Sequence, residues 1–139
     1  MNNGEVKVLT DGNWVFDRAI ELMDEQNSWN GATRTANTEE YRLRTLGILN
    51  VLRHELYPYS DTYETDEKGK RVVCPELKSL EQSIHLDDAI VQGVLPYGLA
   101  AHLLLGENDQ MAAFFFQRYA ELVYAVGCRK TAVWEEIKA

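Results

Sequence analysis

Cysteine is nearly absent from this chain. The two that occur, Cys74 and Cys128, share no C-x-x-C spacing, which argues against a disulfide scaffold or a zinc site. Both read as reduced thiols. No apolar run approaches the ~20 residues of a membrane-spanning helix, and the opening M-N-N-G-E-V-K has neither the basic start nor the apolar stretch of a signal peptide. The expectation is a protein made inside the cell. The sequence also lacks a P-loop, G-x-G-x-x-G, G-x-S-x-G and H-E-x-x-H, the common signatures of phosphate, dinucleotide, hydrolase and zinc chemistry. The reading is therefore of a protein that is not an enzyme and carries no cofactor or metal.

Positive charge is also in deficit. Lys and Arg number 14 against 22 Asp and Glu, a formal net charge of -8, which disfavours a general DNA-binding surface because nonspecific affinity comes from cations that neutralise phosphates. The bases that are present gather locally: Arg34, Arg42, Arg44 and Arg53 fall around one segment, for which a solvated face is the simplest reading. At 139 residues and 45% hydrophobic, the chain is large enough to bury roughly two-thirds of its unfolded surface in one domain.

Helical spacing dominates what remains. After a leader over residues 1–12, Phe16, Ala19, Ile20 and Met23 recur at helical intervals through about Glu25. The polar run from Gln26 to Asn37 reads as a loop, with Trp29 as its anchor or a partner contact. A second helix is expected from Asn37 or Thr38, where Asn37 and Glu40 have capping-box spacing, to Tyr57, where Pro58 stops it. Tyr41, Ile48, Leu49, Leu52 and Leu56 form its apolar face. Gly47 lies inside this helix at a penalty of up to ~1 kcal/mol relative to alanine, and a close helix crossing would account for it. Over residues 59–80 the periodicity dissolves. There Tyr63 and Thr65 are expected to pair with Val72 and Val73 across D-E-K-G-K as a short projecting hairpin.

Leu86 to Tyr124 is the most strongly patterned stretch. Asp87 is an expected N-cap, and Ile90, Val91, Val94, Leu95, Leu99, Leu103 and Leu104 cover so much of the following helix that it reads as the central, most buried element. Pro96 predicts a kink within it. Gly106 ends the helix, Asn108 or Asp109 caps the next, and Met111, Phe115, Tyr119, Leu122 and Val126 mark the buried face of the latter up to a stop at Gly127. The short connection implies an antiparallel helical hairpin. Residues 128–139 are left as an extended tail carrying Val133, Trp134 and Ile137. The fold class is thus mainly α: a small bundle of about four helices with a long kinked central helix, a projecting ribbon and a C-terminal tail.

Candidate chemistry is sparse. His54 and Glu55 are helix neighbours pointing about 100° apart, so they do not converge on one ion. His85 lies near Asp87 and Asp88, and His102 on the apolar third helix reads as a core or near-surface histidine. Phe114, Phe115 and Phe116 span about 200° of helix and cannot share one face. At least one must look away from its own core, towards another part of the domain or another subunit.

The run V-L-P-Y-G-L-A-A-H-L-L-L-G-E-N-D followed by A-A-F-F-F-Q-R-Y-A-E-L-V resembles the helical hairpin of tailed-bacteriophage head-tail connector (head-completion, adaptor) proteins. F-D-R-A-I-E-L-M-D-E-Q and E-Y-R-L-R-T-L-G-I-L-N-V-L-R-H-E-L-Y-P-Y-S-D-T-Y-E resemble the opening half of small proteins from phage and prophage structural modules of Gram-positive bacteria. The resemblance spans Val15 to Val126. It implies a virion structural protein without an active site, forming a ring, usually dodecameric, beneath the portal protein and meeting a tail-side adaptor or terminator. Made in the bacterial host cytoplasm, it would reside in the virion neck, with genome DNA passing through an acidic lumen without sequence-specific binding. On this reading the expected subunit or partner contacts are Tyr63, Val72 and Val73 on the ribbon, Arg34, Arg42 and Arg44 in inter-subunit ion pairs, and Val133, Trp134 and Ile137 on the tail. A small helical protein-binding or regulatory module without catalysis is the alternative.

Overall fold

A computed structural model describes residues 10–29, 38–60 and 76–138, with backbone alone at residues 29 and 129–138. Within them the chain is mainly helical: α1 (Gly12–Trp29), α2 (Thr38–Leu56), a 3-10 turn (Tyr57–Tyr59), α3 (Asp88–Gly93), α4 (Leu95–Leu104) and α5 (Asp109–Lys138). The expected hairpin around Tyr63 to Val73 lies outside the described residues.

The first helix begins where Asp11 accepts the Trp14 amide on its carboxylate at 2.9 Å, satisfying one of the donors that a helix start leaves orphaned. It buries Val15, Phe16, Ala19, Leu22 and Met23, and it runs on to Trp29 through residues whose polarity suggests a loop. Polarity there marks an exposed helix end, since Glu25, Gln26 and Asn27 sit on a helix as readily as on a turn. Before α1, the backbone joins the segment ahead of α3: Ile84 donates to the Thr10 carbonyl at 2.9 Å and Asn13 to that of Leu80 at 3.0 Å. This clasp positions Leu77, Ile84 and Leu86 in the core.

The second helix ends as its proline demands, with Pro58 opening the 3-10 turn. One of its residues overturns the reading of the arginines as a solvated group. Arg53 is 2% exposed, among the largest fully buried side chains, and donates to Asn50 at 3.3 Å. Asn50 in turn grips Leu77 on both sides, accepting its amide at 2.7 Å and donating to its carbonyl at 2.9 Å. A charge tally along the sequence does not register that Arg53 falls on the same face as Leu49, Leu52 and Leu56.

The central helix is two helices in place of one long kinked one. Val94 carries φ −118° and ψ −48° at the junction, and Pro96 opens α4 at a first-turn position where its missing N–H is harmless. As an interior residue it would have stripped the Gln92 carbonyl of its donor and pressed its ring against that group. Asp87 occupies the cap position of α3, but its carboxylate accepts from the Ser60 hydroxyl at 3.2 Å and not from its own helix. The Asp87 carbonyl takes the Ile90 and Val91 amides at 2.9 and 3.0 Å.

Helix α4 is the hub, packing on α1, α2, α3 and α5. The turn after it has the expected construction: Gly106 adopts φ 91°, a left-handed conformation that only glycine enters freely. Asn108 accepts the Met111 amide at 3.2 Å and Asp109 that of Gly106 at 2.9 Å. The antiparallel α4 and α5 then approach so closely at Gly98 that an added Cβ would lie 2.8 Å from the Tyr119 ring and 3.1 Å from Leu52. Helix α5 does not stop at Gly127. It runs to Lys138, so the expected extended tail is the last part of a helix of 30 residues, roughly 45 Å long. Gly127 faces Tyr59, with 3.3 Å available for a Cβ, and works as a packing residue. A single glycine lowers helix propensity without breaking a helix that the flanking residues favour.

Gly98→Ala is expected to destabilise the fold by about 1–3 kcal/mol, because Tyr119 and Leu52 must both give way in a packed seam. Equilibrium urea denaturation measures this; an unchanged midpoint would show that the seam has slack.

Candidate interaction surface

The described residues offer little for catalysis. Among them, no three His, Cys, Asp or Glu side chains lie together in a metal-ligating group, and no helix is long and apolar enough to cross a membrane. The His54 ring nitrogen Nδ1 lies 2.8 Å from the Asn50 carbonyl of its own helix. His102, half-buried as its place on α4 suggested, meets Phe116 edge-on with ring centroids 5.0 Å apart. Cys128 is an exposed free thiol.

The arginines expected at subunit contacts are engaged inside the chain. Arg42 lies over the Phe16 ring at 4.4 Å, donates to Asn13 at 2.8 Å and faces Asp17 at 3.8 Å, which ties α2 to α1. Arg44 donates to the His102 and Leu103 carbonyls at 3.3 and 3.4 Å and faces Glu107 at 3.8 Å. It caps the C-terminal turn of α4 with a cation, where the helix dipole favours one. Each arginine retains 39% side-chain exposure. Arg34, Tyr63, Val72 and Val73 lie outside the described residues. Val133, Trp134 and Ile137 are on the last turns of α5, where only the backbone is described. Of the nine expected residues, Arg42 and Arg44 alone have described side chains.

A different surface emerges on α2. Leu43 is 83% exposed and Val51 55%, with Leu105 beyond α4 at 56%. Together with Arg44, Gly47, Ile48 and His102 they line an open groove of about 560 Å³. Leu43, Gly47 and Val51 follow one another at intervals of four, so they form a second stripe beside the buried one of Tyr41, Leu49, Leu52 and Leu56. That spacing was present in the sequence. It is obscured because the buried stripe already accounts for an amphipathic helix. Gly47 has no atom of the chain within 4 Å of a Cβ position, so the close crossing expected to explain it does not occur within the described residues.

The groove continues along the molecule. One turn past Val51, Glu55 lines a second groove of about 490 Å³ with Tyr59, Tyr119, Ala120, Val123 and Tyr124. On α5, Phe116 against His102 leads by one turn to Ala120. Within this second groove the Tyr119 hydroxyl donates to Glu55 at 2.8 Å. Burial, with the Glu55 carboxylate beside it, raises the Tyr119 phenol far above the ordinary tyrosine value. Burial and the Glu107 carboxylate push Tyr41 up to about 12. Neither is a poised acid or base at neutral pH; both are protonated hydrogen-bonding groups that shape the face. This arrangement leaves apolar side chains and a side-chain-free helix position at the surface of the described residues.

Comparison with known proteins adds no constraint: no family model, curated protein or solved structure matches this chain.

Two outcomes follow for the lone protein. Gly47→Ala is expected to stabilise it by up to ~1 kcal/mol, since alanine is the better helix former and meets no neighbour; that is a rise of about 3–5 °C in the thermal midpoint, and a fall would mean that the position is not open. In alkali, the folded chain holds the Tyr41 and Tyr119 protons more tightly than the unfolded chain, whose phenols ionise near ~10. Stability is therefore full below pH ~10 and declines as pH rises above it. Denaturation midpoints between pH 8 and 11.5 should show this decline, made shallower by Tyr119→Phe. An identical decline in wild type and variant would remove Tyr119 as a source.

Proposed function

We propose that this protein is a virion structural subunit of a tailed phage or prophage: a head-tail connector that forms a ring below the portal and joins capsid to tail. The observation that carries the reading is the exposed apolar stripe Leu43–Gly47–Val51 with Leu105 beside it, because contiguous apolar surface of this kind marks a protein contact. The stretch that resembles the connector hairpin coincides with α4, its Gly106 turn and the first half of α5. Those elements supply a rigid hub, and α2 lays its outward stripe on that hub. The acidic balance of the chain suits a channel through which DNA slides without sticking. Residence in the virion neck, a dodecameric ring, and contacts to the portal and to a tail-side adaptor or terminator all belong to this proposal. So does a projecting ribbon around Tyr63 to Val73 reaching a neighbour.

The test is assembly with the portal protein of the same phage or prophage. Mixed in solution and imaged by negative-stain electron microscopy, the pair is expected to give portal particles with an added ring. A Leu43→Asp, Val51→Asp double variant, checked for native helicity by circular dichroism, should lose that ring. A chain that stays monomeric at all concentrations and adds nothing to the portal would overturn the proposal and favour the small protein-binding or regulatory module.

A further inference from the structure

The lone chain has an apolar groove on one flank and an apolar knob on another, and the two do not meet. Phe115 is buried at 1% exposure and Phe114 is 49% exposed, while Phe116 rests on His102, a lining residue of the α2 groove. Phe114 and Phe116 are two positions apart, about 200° around α5, so Phe114 sits on the flank turned away from the groove. There its ring stands edge-on to Phe115 at 5.2 Å. Arg118, one turn further on, lies 6.0 Å above Tyr97.

We propose that a second copy of this chain occupies the α2 groove, seating its Phe114 beside Gly47 between Leu43 and Val51, so that subunits join head to tail. The inference rests on the reading of the protein as a ring subunit and specifies how the ring is made. Three features select this occupant. Gly47, with no neighbour among the described residues within 4 Å of its Cβ position, lets an incoming aromatic ring approach the α2 backbone, and in doing so accounts for a helix-interior glycine that the described residues do not use. The charges around knob and groove are complementary. Arg118 follows Phe114 by one turn and is 48% exposed, sharing its charge with Glu121 at 3.2 Å in a surface pair that is weak alone, while Glu39 and Glu40 are exposed on the first turn of α2, one turn before Leu43. With α5 of one copy running antiparallel to α2 of the next, Phe114 enters the groove as Arg118 comes to those carboxylates. Finally, a contact between two different patches of one chain leaves one free groove and one free knob on each growing assembly, so it propagates and gives a ring where the rotation between subunits closes, whereas a groove-to-groove contact stops at a dimer.

Single-cysteine variants test this directly. In a full-length chain with Cys74→Ser and Cys128→Ser, Glu40→Cys and Glu121→Cys are made separately; both positions are exposed and lie seven residues, about two turns, from Gly47 and Phe114, so the antiparallel register brings them together while knob and groove stay intact. Each variant is checked by circular dichroism against the parent and oxidised alone and mixed, with and without the portal protein. The expected result is a disulfide-linked dimer in the mixture only, and a ladder of higher species when one chain carries both cysteines. Cross-linking of Glu40→Cys with itself, as strong as in the mixture, would replace the head-to-tail contact with a symmetric dimer and overturn the inference. Rings seen by microscopy without cross-linking in the mixture would overturn it while leaving the connector reading intact. Failure of the unmodified protein both to self-associate and to bind portal would remove the connector reading and this inference together.

Discussion

Helix α4 has almost no side to give to water, and the rest of the molecule is arranged around that constraint. Eight of its ten residues are buried. Gly98, Ala100 and Ala101 leave so little bulk that neighbouring helices come close to its backbone, and packing at that distance converts small side chains into a tight seam. A helix buried in this way also buries its ends. At its start, Pro96 stands where a donor is not needed. At its finish, Arg44 covers the His102 and Leu103 carbonyls while the Gly106 turn returns the Glu107 and Asn108 amides to Leu104. The turn glycine and the Arg44 cap thus serve one need, the settling of the backbone carbonyls that a helix end leaves without partners.

The same constraint explains what α2 does. Its Arg42 and Arg44 reach to opposite neighbours, one over Phe16 of α1 and the other onto α4. Both contacts are partly exposed, so each ion pair contributes little alone. Their weight lies in geometry: a guanidinium over an aromatic ring and one on paired carbonyls fix the rotation of α2 about its own axis. That rotation decides which stripe faces inward. With Tyr41, Leu49 and Leu52 inside, Leu43, Gly47 and Val51 are turned out.

Much of this was legible in the sequence, and the failures have specific causes. The α4–α5 hairpin, its Gly106 turn and its Asn108 cap were readable because each rests on local chemistry carried by one or two residues. The three adjacent phenylalanines correctly announced an outward-facing ring. Pro96 announced a disruption, but whether a chain bends or restarts depends on whether the flanking turns find other partners, which is a tertiary matter. Gly127 misled because glycine marks both helix ends and close contacts, and only the position of Tyr59 separates the two. Arg53 misled because charge alone does not reveal a buried guanidinium. The groove on α2 was hidden for the opposite reason, since four-residue spacing of Leu43, Gly47 and Val51 is visible only after the first apolar stripe has been assigned to the core.

Asn50 and Ser60 hold a further consequence. Asn50 grips Leu77 through both of its backbone groups, and Ser60 exchanges hydrogen bonds with the backbone and carboxylate of Asp87. The chain is therefore tied to the helical body on either side of residues 61–75, by contacts that use nothing from those residues. The register of α2 against the segment ahead of α3 is in this way written into two polar side chains, one holding Leu77 and the other Asp87.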